Sequence, residues 1–186
     1  MKSIHPLLAE RWSPRAFSPK KINHEITSRL FEAARWAPSS MNEQPWRFIY
    51  GHNPSEAFHR ISSLLVPGNE VWASKAPLLI ATVGKTAFDY KNRDNRTWMH
   101  DLGLAVSNLV MQATAEGLYV HQMGGVKLYE MKVELQIPDG FEPMTIMAVG
   151  YLGKEEDLPE GSTQSNPEDR KRLEVDEICF EGLFKN

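Results

Sequence analysis

Cysteine is nearly absent: the single thiol, Cys179, excludes an intramolecular disulfide, and the simplest expectation is a reducing, cytoplasmic setting. Long apolar runs are missing too. The longest, such as 77–83, are strand-sized and far too short to span a bilayer. The opening stretch MKSIHPLLAERWSPR has too short an apolar run for a signal peptide and soon meets charge. A basic excess is absent as well. With 21 Lys and Arg against 24 Asp and Glu the formal charge is -3, which argues against general nucleic-acid binding. No GxGxxG follows any strand-like run, so a Rossmann dinucleotide site is not supported. Internal repeats, low-complexity tracts and Pro/Gly/Ser linkers are also lacking.

What is present is an ordinary globular composition, with 41% hydrophobic and 24% charged residues over 186 positions. A chain of that length buries about 70% of the surface its unfolded form exposes, enough for a core without staples. One domain over 1–186 is therefore expected.

Three helices are legible. Asn23 is placed to cap one that carries Ile26, Leu30, Ala33 and Ala34 on one face, with Pro38 beyond its end. A second covers 97–116, with Leu102, Ala105, Leu109 and Ala113 in a stripe that Val106 and Val110 widen, and Gly117 past its end. Such broad apolarity predicts a helix central in the core or at a subunit interface. A third covers 128–135. Strand character marks 46–50, 78–83, 118–122 and 144–151. The elements interleave without regular alternation, which predicts an α+β fold with helices on a central mixed or antiparallel sheet.

Four segments can carry chemistry. Arg11-Trp12-Ser13-Pro14-Arg15 sets two guanidinium groups four residues apart around a hydroxyl. They converge on an anion if the chain bends at Pro14; the plainer reading is a solvated turn after a short N-terminal helix. The run 38–46, PSSMNEQPW, packs Ser39, Ser40 and Asn42 between two prolines, as a loop that hydrogen-bonds a planar polar ring or as a simple connector. His121-Gln122-Met123-Gly124-Gly125 ends a strand in paired glycines, which admit close backbone approach to a ligand or form a tight turn. His121 has no Cys, Asp or Glu at ligand spacing, so no metal site is expected. Arg170-Lys171-Arg172 is either a solvated surface or the completion of a phosphate site, if the tail folds back. His100 and Asp101, adjacent on a helix, point about 100° apart and are read as structural.

Taken together and in order, these segments resemble the FMN-dependent nitroreductase family. The resemblance runs from Arg11 to about Phe180 and is most specific in RWSPRAF (11–17) and LFEAARWAPSSMNEQPWRF (30–48). HDLGLAVSNLVMQATAEGL (100–118) is similar to the family's long central helix, and IPDGFEPMTIMAVGY (137–151) to its penultimate helix-to-strand passage. The resemblance implies an intertwined homodimer with FMN at the subunit interface and a C-terminal tail, from about 165 to 186, that packs on the body or on the partner subunit. By analogy Arg11 and Ser13, helped by Arg170 and Arg172, hold the phosphate and ribityl chain, with Trp12 contributing through its backbone. Arg15 faces the pyrimidine edge; Ser39, Ser40 and Asn42 reach the flavin from the other subunit; Gln122, Met123, Gly124 and Gly125 lie near N5.

The implied activity is that of an NAD(P)H oxidoreductase reducing nitroaromatics, quinones or other electron-poor small molecules by a ping-pong mechanism, with no catalytic side chain. The alternatives are a flavin-consuming or dehalogenating enzyme of the same fold, or a non-enzymatic flavin-binding protein. Two departures stand out. Gly124 replaces a bulkier or acidic residue, leaving the N5 environment bare, and Glu174 follows Arg172-Leu173 where many relatives have proline. The segment 85–98 reads as a lid that stacks Tyr90 or Trp98 on substrates, or as an exposed connector.

Overall fold

The computed structural model describes residues 4–90 and 93–184. Its centre is a four-stranded sheet in the order β1-β2-β4-β3, formed by β1 (Trp46–His52), β2 (Leu78–Lys85), β3 (Tyr119–Met123) and β4 (Phe141–Gly150). Every pairing is antiparallel, which resolves the choice between a mixed and an antiparallel sheet. Around it stand α1 (Pro6–Glu10), α2 (His24–Arg35), α3 (Glu56–Ser62), α4 (Pro67–Ala73), α5 (Trp98–Ala115), α6 (Leu128–Glu134) and α7 (Val175–Ile178).

Side-chain alternation divides the core in two. Leu78 and Ile80 of β2, Val120 of β3 and Met147 and Val149 of β4 face α2 and α5. Leu79 and Ala81, with Ile146 and Ala148, face Phe58 and Ile61 of α3, Trp72 of α4 and Met131 of α6. Strands buried on both faces read as apolar runs, and β2 is buried from Leu78 through Gly84.

The expected capping of α2 is present, with the Asn23 side chain accepting from the Ile26 N–H at 2.8 Å. All six apolar positions foreseen on α5 are buried, and Gly117, at φ 71°, ends that helix in the left-handed conformation. β4 begins three residues earlier than the apolar pattern suggests and includes Pro143, which cannot donate to the ladder. It sits opposite Val83 where the β2–β4 register shifts, so the irregularity accommodates the missing N–H. Helices α3 and α4 have seven residues each, too short for a periodic signal, and are held by the buried side chains they send under the sheet.

Candidate flavin site

The segment after α1 runs beside the end of β4. Phe17 bridges Leu152, the Ser18 N–H donates to the Tyr151 carbonyl and the Gly153 N–H donates to the Ala16 carbonyl. Trp12 and Pro14 are buried beneath this segment, Trp12 with its ring edge-on to Tyr119 at 5.9 Å. Only the Trp12 backbone is therefore left for a ligand. Arg11 and Ser13 are half-buried and Arg15 is exposed.

The tail doubles back on the same segment. Arg170 donates from Nη1 to the Arg11 carbonyl at 2.5 Å, from Nη2 to the Ala9 carbonyl at 2.8 Å and from Nε to the Pro167 carbonyl at 2.7 Å. Gln164 Oε1 accepts from both the Arg15 and Ala16 N–H groups at 2.8 Å. Arg11, Arg170 and Arg172 are thus brought close together. Burial, and next the charges of Arg170 and Arg172, push the Arg11 guanidinium below its ordinary value. Arginine remains protonated throughout the working range, so the repulsion persists. None of the three forms an ion pair with a described carboxylate. An anion placed here would relieve that repulsion, and the Ser13 hydroxyl, 3.4 Å from Arg11 Nη1, adds a donor beside it.

Arg11 also lines a cavity of about 310 Å³ between α5 and the sheet. Gln122 projects into it from β3, Thr82 and Thr145 close its floor, and Met99, Gly103 and Val106 of α5 form one wall. Along β3 the side chains alternate. Gln122 is exposed at the cavity, whereas Met123 is buried in the opposite core and offers a ligand only its backbone. Beyond it, Gly124 has open space where a Cβ would stand. A Cβ on Gly125 would lie 2.7 Å from Asn69 Nδ2, and the Gly125 carbonyl accepts from that amide and from the Val66 N–H. A side chain at Gly125 would require Asn69 to shift, whereas one at Gly124 would not meet the protein.

Ser39, Ser40 and Asn42 form a second group, at the N-terminal end of α5 and outside the lining of this cavity. Met41, Asn42 and Gln44 all take positive φ, 53°, 55° and 50°, which is strained backbone for side-chain-bearing residues. The strain is held in place. The Ser40 N–H donates to buried Asp101 Oδ2 at 3.1 Å, and the Gln44 N–H donates to Ser39 Oγ at 3.0 Å. Glu43 accepts from Lys85 Nζ at 2.8 Å and from the Asp89 N–H at 2.9 Å, and Lys85 also bonds Asp89. The 38–45 loop and the segment after β2 are therefore fastened together.

Within that segment Ala87 bridges Asp94, and Asn95 is buried with its Oδ1 accepting from the Thr97 N–H and hydroxyl. Part of the suggested lid, 91–92, lies outside the described residues. Of the two aromatics proposed to stack on substrates, Trp98 is half-buried and packs its ring on Gly84, where a Cβ would come within 2.1 Å of it. Tyr90 is 60% exposed. Asp101 was legible only as structural; its role in fixing the Ser40 backbone shows in the fold, since sequence does not tell which loop reaches the first turn of α5.

Two half-buried histidines give the molecule an acid limit. Burial, with the neighbouring His24 adding, lowers His52, and burial, with Arg15 adding against backbone bonds at Pro14 and Ser13, lowers His121. A histidine whose folded value lies below its unfolded value of about 6.5 binds more protons when unfolded, so stability rises with pH across that window and is lost as pH falls below it. The urea midpoint at pH 5.5 is expected below that at pH 7.5. A flat profile would show that neither ring is held neutral.

Residues 8–67 and 52–151 match the sequence profile of the nitroreductase family. An uncharacterised 15.4 kDa protein of Mycolicibacterium smegmatis is 30% identical over 148 residues, 75% of this chain and 98% of that one. A protein of Archaeoglobus fulgidus, provisionally named NADH dehydrogenase/NAD(P)H nitroreductase, is 24% identical over 90% of this chain and 96% of its own. Among solved structures, one of an oxidoreductase containing FMN superposes with a TM-score of 0.91 at 34% identity, covering 99% of this chain and 94% of that one. Among the described residues no helix is long and apolar enough to cross a membrane, and no group of three or more His, Cys, Asp or Glu is placed to hold a metal. The fold, the matched profile and the 34% identity along nearly the whole chain agree: this chain belongs to the nitroreductase family.

Proposed function

We propose that this chain is an FMN-dependent NAD(P)H oxidoreductase, active as a homodimer, that reduces nitroaromatic, quinone or other electron-poor small molecules in a ping-pong cycle. The observation that carries the reading is the approach of Arg170 and Arg172 to Arg11, none of them ion-paired with a described carboxylate, where Arg11 lines the cavity that Gln122 enters. A phosphate monoester with nearly two negative charges suits three cations and a hydroxyl better than a neutral ligand does. The names of relatives point the same way, one to NAD(P)H and one to FMN.

FMN, when bound, supplies the two-electron chemistry between NAD(P)H and the acceptor, leaving the protein to bind, orient and set the local field. Arg11 and Ser13 take the phosphate and ribityl chain. Arg172 contributes charge. Arg170 contributes charge too, but three of its N–H groups already hold carbonyls of the chain, so it acts chiefly by keeping the tail against Arg11. Arg15 faces the pyrimidine edge, where a permanent positive charge favours the electron-rich state. Gln122 and the backbone of Met123, Gly124 and Gly125 surround the flavin near N5, and the absence of a side chain at Gly124 leaves room for a second planar ring. Ser39, Ser40 and Asn42 of the partner subunit complete the site, in keeping with their lying outside the lining of the cavity that Arg11 and Gln122 share.

A dimeric flavoprotein is tested by dialysing the chain against FMN and sedimenting the product. The expected result is one FMN per chain in a particle of twice the chain mass. FMN held by a monomer would remove the shared interface from the account, and no retained FMN would remove the cofactor.

A further inference from the structure

His121 is a half-buried polar side chain given no part in the site so far. It follows Val120 and precedes Gln122 on β3, so its ring turns away from the cavity toward α4. There it lies 4.6 Å from the Trp72 ring at 48°, and its Nδ1–H donates to the Pro14 carbonyl at 2.9 Å. Pro14 immediately precedes Arg15, whose guanidinium carbon stands 6.0 Å from the centre of the same Trp72 ring. One indole therefore backs both the imidazole and the arginine.

The other end of the Arg15 peptide is held as well, since the Arg15 and Ala16 N–H groups both donate to Gln164 Oε1, and Arg15 Nη1 donates to the Thr163 carbonyl at 3.3 Å. The backbone that carries Arg15 is thus clamped between a side chain of β3 and one of the tail. Of these two clamps, only His121 stands on a strand of the central sheet, next to Gln122. It ties the arginine to the rigid frame from which Gln122 and the paired glycines also project. Positioning of this kind matters because an electrostatic contact to a ligand depends on geometry held by supporting residues.

We propose that His121 is a positioning residue of the flavin site, holding the Pro14–Arg15 backbone so that the Arg15 guanidinium faces the flavin. The proposal rests on the assignment of Arg15 to the pyrimidine edge. His121 touches neither flavin nor substrate; it acts through Arg15. A residue with a merely structural role would alter stability and leave the flavin's redox potential where it was.

The test uses FMN-loaded protein and reads the two-electron potential by redox titration together with the FMN dissociation constant. Arg15→Ala sets the reference and is expected to lower the potential. His121→Leu is expected to lower it in the same direction and to weaken FMN by about tenfold, the scale of one hydrogen bond. His121→Asn, whose amide Nδ2 takes the place of the imidazole Nδ1, recovers most of that loss. His121→Gln, polar but with its amide displaced from that position, does not recover it, and it serves in place of the leucine variant should that fail to fold. In an Arg15→Ala background, either disruptive change shifts the potential no further. A potential unmoved by His121→Leu or His121→Gln, or shifts that add to those of Arg15→Ala, overturns the proposal while leaving the flavoprotein assignment intact. A wild-type chain that retains no FMN overturns both.

Discussion

Replacing Arg11 with alanine is expected to weaken FMN binding by about ten- to a hundredfold while leaving the fold of the FMN-free chain as stable as before, or slightly more so. The first half follows from the loss of a charge-assisted contact to phosphate, worth about 1.5–3 kcal/mol, at about 1.4 kcal/mol for each factor of ten. The second half follows from the surroundings of Arg11. Its guanidinium is partly buried and repelled by Arg170 and Arg172, and its hydrogen bond to Ser13 is long at 3.4 Å. Removing the side chain removes that repulsion. The bond from Arg170 to the Arg11 carbonyl belongs to the backbone and survives the substitution. A structural arginine would behave in the opposite way, costing stability and sparing the ligand. Equilibrium dialysis against FMN and a urea titration of the FMN-free protein separate the two; unchanged FMN retention rejects the phosphate role.

The second large effect concerns a residue that touches no ligand. Asp101→Ala leaves the Ser40 N–H without its acceptor and removes the carboxylate 3.4 Å from the Thr97 hydroxyl. Hydrogen bonds to a charged group contribute about 1.5–3 kcal/mol, so a loss of about 2 kcal/mol is expected in a urea titration. The consequence reaches further than stability. The loop beyond Ser40 holds three residues at positive φ, and such backbone persists only while its surroundings enforce it. Released from α5, Ser39 and Asn42 lose their presentation, and FMN affinity falls with them if these residues reach the flavin of the other subunit. Asp101→Asn keeps one acceptor oxygen and should lose less on both measures. A urea midpoint unaffected by Asp101→Ala would show that the 38–45 loop is held by other contacts.

How much of this was legible beforehand depends on the range of the signal. The cap at Asn23, the wide stripe of α5 and the apolar run of β2 are local patterns, and each predicts its element to within a few residues. Helices α3 and α4 are equally real but fall below two turns, so no periodicity announces them. The start of β4 was obscured by Pro143, which argues against a central strand unless a register shift is known to accommodate it. At the site, residue types were legible and partnerships were not. Arg170 lies 159 positions from Arg11, and nothing in either segment says that the tail returns to α1. The resemblance to a family grouped these residues; their convergence is a property of the folded chain. Trp98 shows the same limit, since sequence does not tell that Gly84 on β2 leaves room for its ring against the core.

The most direct measurement of the central claim is an anaerobic absorption spectrum of the FMN-loaded protein before and after addition of NADH or NADPH. A flavin band near about 450 nm that bleaches with either nucleotide and returns when a quinone or nitroaromatic is supplied is the predicted result. A band that persists in the presence of both nucleotides would contradict it, leaving a protein that holds flavin without passing electrons through it.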